Sequence, residues 1–194
     1  TIFGAVFEST LNPETRRSGG MHYTSIENIH KVIDPLFLDE LKKELEVAQN
    51  RPIAGGAHTK ALQAFQKKIA SLKFLDPACG SGNFLTESYI SLRHLENIAI
   101  QELDREKKDG QISLMFGEDD NLNIQVSIQQ FYGIEVNDFA VTVAKTALWI
   151  AESQMLEETK RIVNGFKGSF LPLKTYVNIA EGNALRMNWN DVVP

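Results

Sequence analysis

Between residues 24 and 70 the apolar positions recur at helical spacing. Thr24 and Glu27 stand at capping-box separation around Ile26, Ile29 and Ile33, and Asp34-Pro35 predicts the start of a second helix carrying Leu38, Leu41 and Leu45 on one side. The stretch "NRPIAGGAH", residues 50–58, interrupts this period with a proline and paired glycines and predicts a surface loop. Thr59 is then expected to cap a third helix with Leu62, Phe65 and Ile69 turned inward.

Past residue 71 the period changes. A short apolar strand is predicted near residues 72–76, then a glycine turn, then a helix from about Ser81 with Leu85, Leu92 and Leu95 on one side. The unit repeats in "QFYGIEVN", residues 130–137, a strand ending in an acid, with Asp138 capping a helix rich in alanine at 140, 144, 147 and 151. A third strand is predicted in "YVNIAEGNAL", residues 176–185. Strands alternating with helices imply an α/β fold with a parallel sheet. Residues 104–128 break the alternation with charges and two glycines and read as an insertion containing a surface hairpin, with Glu118-Asp119-Asp120 a solvated loop rather than a metal site. The chain therefore divides into an N-terminal helical segment, 1–70, and an α/β part, 71–194.

Composition narrows the class. With 194 residues, 43% of them hydrophobic, the chain can bury one core with a small helical appendage beside it. A single cysteine, Cys79, excludes an internal disulfide framework and reads as a small packing residue. No apolar run approaches the roughly 18 residues of a membrane span, and no secretory signal pattern opens the sequence, so a soluble cytoplasmic chain with no membrane partner is expected. The four histidines, His22, His30, His58 and His94, show no ligand spacing in the sequence, so no metal is assigned. A formal charge of −5 provides no general footprint for nucleic acid. If the partner is DNA, the basic surface is local or outside this chain.

The candidate chemistry lies in "FLDPACGSGNFL", residues 74–85. In an open parallel sheet, ligands sit beyond the carboxyl ends of the strands, where a glycine turn lets the backbone approach closely. Gly80 and Gly82 supply such a turn, and the following helix aims its first amides at an anionic group. Asp76 would repel a phosphate, no P-loop lysine follows the glycines, and the third glycine of a dinucleotide fingerprint is missing. A ligand joining an ammonium and a carboxylate to a ribose, S-adenosylmethionine, suits both the acid and the amides. Glu135 can accept both ribose hydroxyls, Asn183 can both donate to and accept from an adenine edge, and Phe84 and Phe139 offer flat apolar walls. Taken singly these have plainer readings: a tight turn, a solvated strand end, a turn-forming asparagine. Three successive strand ends carrying suitable residues in order make the joint reading.

These same residues resemble the amino-directed, adenine-specific DNA methyltransferases, in particular the cofactor-binding part of MmeI-like single-chain restriction-modification enzymes. "GMHYTS", residues 20–25, resembles the family's N-terminal cofactor motif, which implies that Tyr23, Thr24 and Ser25 lie against the methionine end. "DPACGSGNFL" is similar to the glycine motif, implying contacts from Asp76, Pro77, Ala78, Cys79, Gly80, Ser81, Gly82, Asn83 and Phe84. "GIEVNDFAVTVAKTALWIAE" resembles the ribose-binding strand and its helix, with Glu135 and Val136 at the ligand, and "EGNAL" the adenine-binding turn, with Asn183 and Ala184. An aspartate is commonly found where Asn183 stands.

The resemblance implies a Rossmann-like SAM-dependent methyltransferase fold, truncated, with a parallel sheet and flanking helices preceded by N-terminal helices. It also implies S-adenosylmethionine as cofactor, and double-stranded DNA and the remainder of a parent enzyme as partners. The family's catalytic tetrapeptide, Asn or Asp followed by two prolines and an aromatic, is expected shortly after the third strand, where this sequence reads "WNDVVP". No catalytic residue is therefore assigned, and the chain is expected to be a fragment inactive in methylation by itself. RNA or protein-glutamine methylation, or a non-catalytic module that binds partner subunits, are the alternatives.

Overall fold

A computed structural model describes residues 24–108, 124–163 and 177–194, with the side chains of 107 and 108 excepted. His22, Tyr23, the cluster Glu118-Asp119-Asp120 and the hairpin expected within 104–128 fall outside the described residues.

Helix α1 spans Ile26–Ile33 and buries Ile29 and Ile33. Its N-cap is Ser25, not Thr24: Ser25 has extended backbone and its side chain accepts from the Asn28 N–H at 3.4 Å. The second helix does not start afresh at Asp34-Pro35. Residues Asp34–Leu38 form a π turn running straight into α2, Asp39–Gln49, and the Asp39 N–H reaches back five residues to the Asp34 carbonyl. Proline has no N–H to give the ladder, so the helix continues past it by widening one turn instead of breaking.

The 50–58 stretch folds as a turn and a short 3-10 segment, Ala54–Gly56, in which Gly55 and Gly56 take φ of +81° and +73°. Helix α3, Ala57–Ser71, has Gly56 at its N-cap, three residues before the expected Thr59 cap. The paired left-handed glycines turn the chain so sharply that His58 N–H bonds Pro52 O at 3.1 Å, and Thr59 already lies inside the helix, buried.

Strand β1 is Phe74–Asp76, β2 is Phe131–Glu135 and β3 is Asn178–Glu181; they form one parallel sheet in the order β1-β2-β3. The register sets Asp76 opposite Gly133 and Glu135 opposite Glu181. Every residue of the central strand β2 is buried, as a strand flanked on both sides and covered by helices requires. Parallel strands need crossovers, and helices α4, Asn83–Lys108, and α5, Asp138–Ile162, lie in them. The sequence break placed at residue 104 therefore falls inside α4, which continues four residues further. Helix α5 is capped by Asn137, whose Oδ1 accepts from Ala140 N–H at 3.0 Å; Asp138, the expected cap, is its first helical residue.

Helix α4 is the hub, touching α1, α2, α3, α5, β1 and β2. That explains why it is buried almost all round, with Leu92, Ala99 and Ile100 fully enclosed. A single hydrophobic cluster runs from Ile29 in α1 through Leu62, Leu92 and Phe131 to Ile179 in β3. Phe131 stacks on Phe74 with ring centroids 5.0 Å apart and receives the edge of Tyr89 at 5.6 Å.

Candidate functional site

Because all three strands point the same way, their carboxyl ends share one edge. Asp76 closes β1 and Glu135 closes β2, while Gly182 and Asn183 follow the end of β3. Glu135 lies two residues beyond the position paired with Asp76, an offset of about 6–7 Å along the strand.

The glycine turn between β1 and α4 is shaped by two left-handed residues, Gly80 with φ +53° and Gly82 with φ +77°. Their reasons differ. A Cβ on Gly82 would sit 3.0 Å from the Cβ of Ala144 and 3.2 Å from its Cα, so this glycine lets α5 approach the turn. A Cβ on Gly80 would meet nothing within 4 Å and would project into open space. Gly133 in β2 is excluded from carrying a side chain by Cys79, whose Sγ would be 2.7 Å from it. Cys79 thus fills the floor beneath the turn, as expected of a packing cysteine. Burial first, then the neighbouring carboxylates, pushes its thiol up to about 12, so it stays a neutral thiol.

The turn's amides are engaged within the protein. Ala78 N–H donates to Asp76 Oδ1 at 3.1 Å, Cys79 N–H to Ile134 O at 3.1 Å, Gly80 N–H to Glu135 Oε2 at 2.9 Å and Gly82 N–H to Cys79 O at 2.8 Å. These four amides therefore have acceptors within the protein. The amides at the start of α4, which precede any intrahelical acceptor, keep the capacity to meet a ligand.

Glu135 holds the turns together. Besides the Gly80 bond, its Oε1 accepts from Asn137 N–H at 2.9 Å, and its own carbonyl accepts from Gly182 N–H at 2.9 Å. Each carboxylate oxygen retains further acceptor capacity. Asp76 is half-buried, and its carboxyl is raised above the ordinary aspartate range, first by burial and then by the charge of Glu135, against the opposing pull of the Ala78 amide. Two like charges with one desolvated at the mouth of the turn favour a cation there.

Of the other expected contacts, Val136 is 69% exposed and Phe139 52% exposed at the same edge, whereas Phe84 is partly buried against the core. Pro77 and Ser81 are half-buried and Asn83 is buried. Asn183 is exposed, but its Oδ1 accepts from Leu185 N–H at 3.0 Å and so shapes its own turn. Ala184 accepts the indole N–H of Trp189 through its carbonyl at 2.8 Å. Thr24 and Ser25 lie at the start of α1, which packs on α4; there His30 Nε2 meets Glu87 Oε1 at 3.2 Å while Nδ1 meets Asp34 at 2.8 Å. Hydrogen bonds therefore tie Asp76 to Ala78 and Glu135 to Gly80 and Asn137, the two sets meeting in one glycine turn, and Asn183 adjoins them through Gly182, whose N–H donates to the Glu135 carbonyl.

Sequence reasoning passed over Asn137 and His30. The first was signalled by "EVND", an asparagine just before a helix, and the second by its four-residue separation from Asp34. Nothing local signalled Glu87. It comes from another helix, α4, as do the acids at His58: His58 is held by Glu106 and by Glu102 at 3.1 Å, and Thr59 Oγ1 donates to Glu106 at 2.6 Å.

Comparison with known proteins agrees with this geometry. A family model described as "MmeI, DNA-methyltransferase domain" matches residues 51–194. DNA methyltransferase A of Bacillus subtilis (strain 168) is 43% identical over 194 residues, which is 100% of this chain and 20% of that protein. The solved structure of the type IIL restriction-modification enzyme MmeI in complex with DNA superposes with a TM-score of 0.81 at 40% identity, covering 99% of this chain and 24% of that one. The chain thus spans about a fifth to a quarter of the length of these relatives. Among the described residues no helix is long and apolar enough to cross a membrane.

Proposed function

Since the chain belongs to the MmeI DNA-methyltransferase domain family, we propose that it forms the S-adenosylmethionine-binding part of a DNA methyltransferase of restriction-modification type, one that methylates the exocyclic amino group of adenine. The observation that carries this reading is the hydrogen-bonded convergence of Asp76, the Gly80 turn and Glu135 at one edge of a parallel sheet.

The residues suit such a cofactor. Open space over Gly80 leaves room for it, and Asp76 with Glu135 supplies negative charge for its cationic end. Glu135, fixed in plane by two N–H donors, keeps acceptor capacity on both oxygens for a ribose diol. Val136 offers an exposed apolar face for a purine. When bound, the cofactor supplies an electrophilic methyl on a sulfonium. This chain's residues would orient it: the first amides of α4 would suit its carboxylate, Asp76 its ammonium, and the turn after β3 its base.

Tyr23, Thr24 and Ser25 are assigned to the methionine end through the resemblance of residues 20–25, and Asn183 with Ala184 to the adenine end. Residues 1–70 and 71–194 are assigned as a helical segment and a cofactor-binding part. An Asn/Asp-Pro-Pro-aromatic run, which would hold a flipped base and its amino nitrogen, does not occur in the 194 residues. The reading therefore assigns cofactor binding to this chain, and DNA methylation, with double-stranded DNA as substrate, to the longer protein of which it forms part.

Titration calorimetry with S-adenosylmethionine tests it. Saturable binding that is weakened at least tenfold by Asp76→Ala and by Glu135→Ala is expected. No heat, together with no protection against thermal unfolding, would remove the cofactor claim and favour a partner-binding module.

A further inference from the structure

The bond pattern around Glu135 carries more than a ligand contact. Its carboxylate is buried, one oxygen is bound by Gly80 N–H at 2.9 Å and the other by Asn137 N–H at 2.9 Å. Gly80 belongs to the turn after β1 and Asn137 to the turn that caps α5, so one side chain joins two loops whose connection by chain is 57 residues long. A Cβ on Gly80 would point into open space. Gly80 has no neighbour within 4 Å on that side to hold its left-handed backbone in place. Asp76 and Ile134 hold the preceding amides, Ala78 and Cys79. Besides the weak contact of the Cys79 thiol with the Gly80 carbonyl at 3.9 Å, the Glu135 bond is what secures Gly80 among the described residues.

We propose that Glu135 is the positioning residue of the glycine turn: by accepting the Gly80 and Asn137 amides it sets, before any ligand arrives, the backbone shape in which the turn meets its ligand. The ligand part of this rests on the cofactor reading above; the positioning part does not. Glutamine is nearly isosteric but offers one acceptor oxygen and one NH2 donor. Whichever way that amide is turned, one of the two N–H groups loses its acceptor.

Residue-resolved amide exchange on the ligand-free full chain, wild type against Glu135→Gln, tests the positioning directly. Exchange at Gly80 or Asn137 should accelerate at least tenfold, while Gly182, bonded to the Glu135 carbonyl, stays unchanged. Unchanged exchange at both Gly80 and Asn137 overturns the proposal. Should the variant fail to fold, through-hydrogen-bond couplings from the Gly80 and Asn137 amide nitrogens to the Glu135 carboxyl carbon are measured on the wild type instead: both should be present, and absence of either overturns it.

A second arm compares S-adenosylmethionine with its 2′,3′-dideoxy analogue. A residue acting through the diol alone would show no penalty with the dideoxy ligand, which would also overturn the proposal; a positioning residue keeps a penalty of about fivefold or more. If the wild type binds neither ligand, the cofactor reading fails, and the exchange result still decides the positioning role.

Discussion

Two of the places where charge is buried on the hub helix and its neighbours serve different ends. Along the seam between α4 and α5, Arg93 is fully enclosed and bonds Glu96, Asn97 and Thr159, the last at 2.6 Å, while Glu96 Oε1 receives Gln125 N–H at 2.6 Å and Val126 N–H at 3.2 Å. Every oxygen and nitrogen of that cluster faces protein. At the carboxyl edge of the sheet, Asp76 and Glu135 also hold backbone amides, but the space above Gly80 is open and both carboxylates retain acceptor capacity. A buried charge whose partners are all internal fixes the fold. A partly satisfied pair at an open edge has something left to bind.

The sharpest way to break that contrast is Arg93→Met. Stripping one partner from an enclosed ion pair costs about 3–5 kcal/mol, because Glu96 is left charged and buried. Urea unfolding should show that loss, while the folded fraction keeps its affinity for S-adenosylmethionine; a selective loss of affinity would mean the seam is not merely structural.

Gly82→Ala lies between the two regions, since Gly82 serves the turn by abutting Ala144 of α5. A Cβ 3.0 Å from another at φ +77° should cost about 2–3 kcal/mol, read as a fall in Tm. Adding Ala144→Gly should restore a small part of it, by removing the 3.0 Å contact but not the 3.2 Å approach to the Cα or the strained φ.

Asp76→Asn sharpens the open side. Cofactor affinity should fall about tenfold, roughly 1.4 kcal/mol, with little change in stability. In the wild type, affinity should rise as pH climbs through the Asp76 titration, which burial raises above 3.8, because a cationic ligand selects the ionised carboxylate. Affinity independent of pH across that range would count against Asp76 facing a cation.

The smallest effect is expected at His30, which joins α1 to α4 between Asp34 and Glu87. The hydrogen bond to Asp34 is the largest influence raising its pKa above 6.5. Its contribution to stability is thus fully present below the unfolded value of about 6.5 and lost as pH rises through the folded one. His30→Gln should therefore reduce stability at pH 5 by a fraction of a kcal/mol and leave pH 9 unaffected; equal losses at both would refute the ionic link.

Reading residues one element at a time was most successful where the physics is local. The three parallel strands and the glycine turn follow from alternation and left-handed demand within a few residues of each position, and Leu85, Leu92 and Leu95 are buried as their spacing implies. Helix starts were displaced by one to three residues. Neighbouring polar residues compete for the same cap, and the choice among Thr24, Ser25, Asn137 and Asp138 depends on the approach of the chain.

The order of chemistry along the chain, an acid ending β1, glycines after it and an acid ending β2, was determined by the sequence alone, because parallel strands bring their carboxyl ends to one edge whatever lies between them. Only the tertiary structure decided that Glu135 closes on Gly80, that Gly82 answers to Ala144, and that Arg93 meets Thr159. Hydrogen bonds and contacts between residues 55, 62 and 66 positions apart depend on how helices pack over a shared core, and no local pattern of side chains encodes that distance.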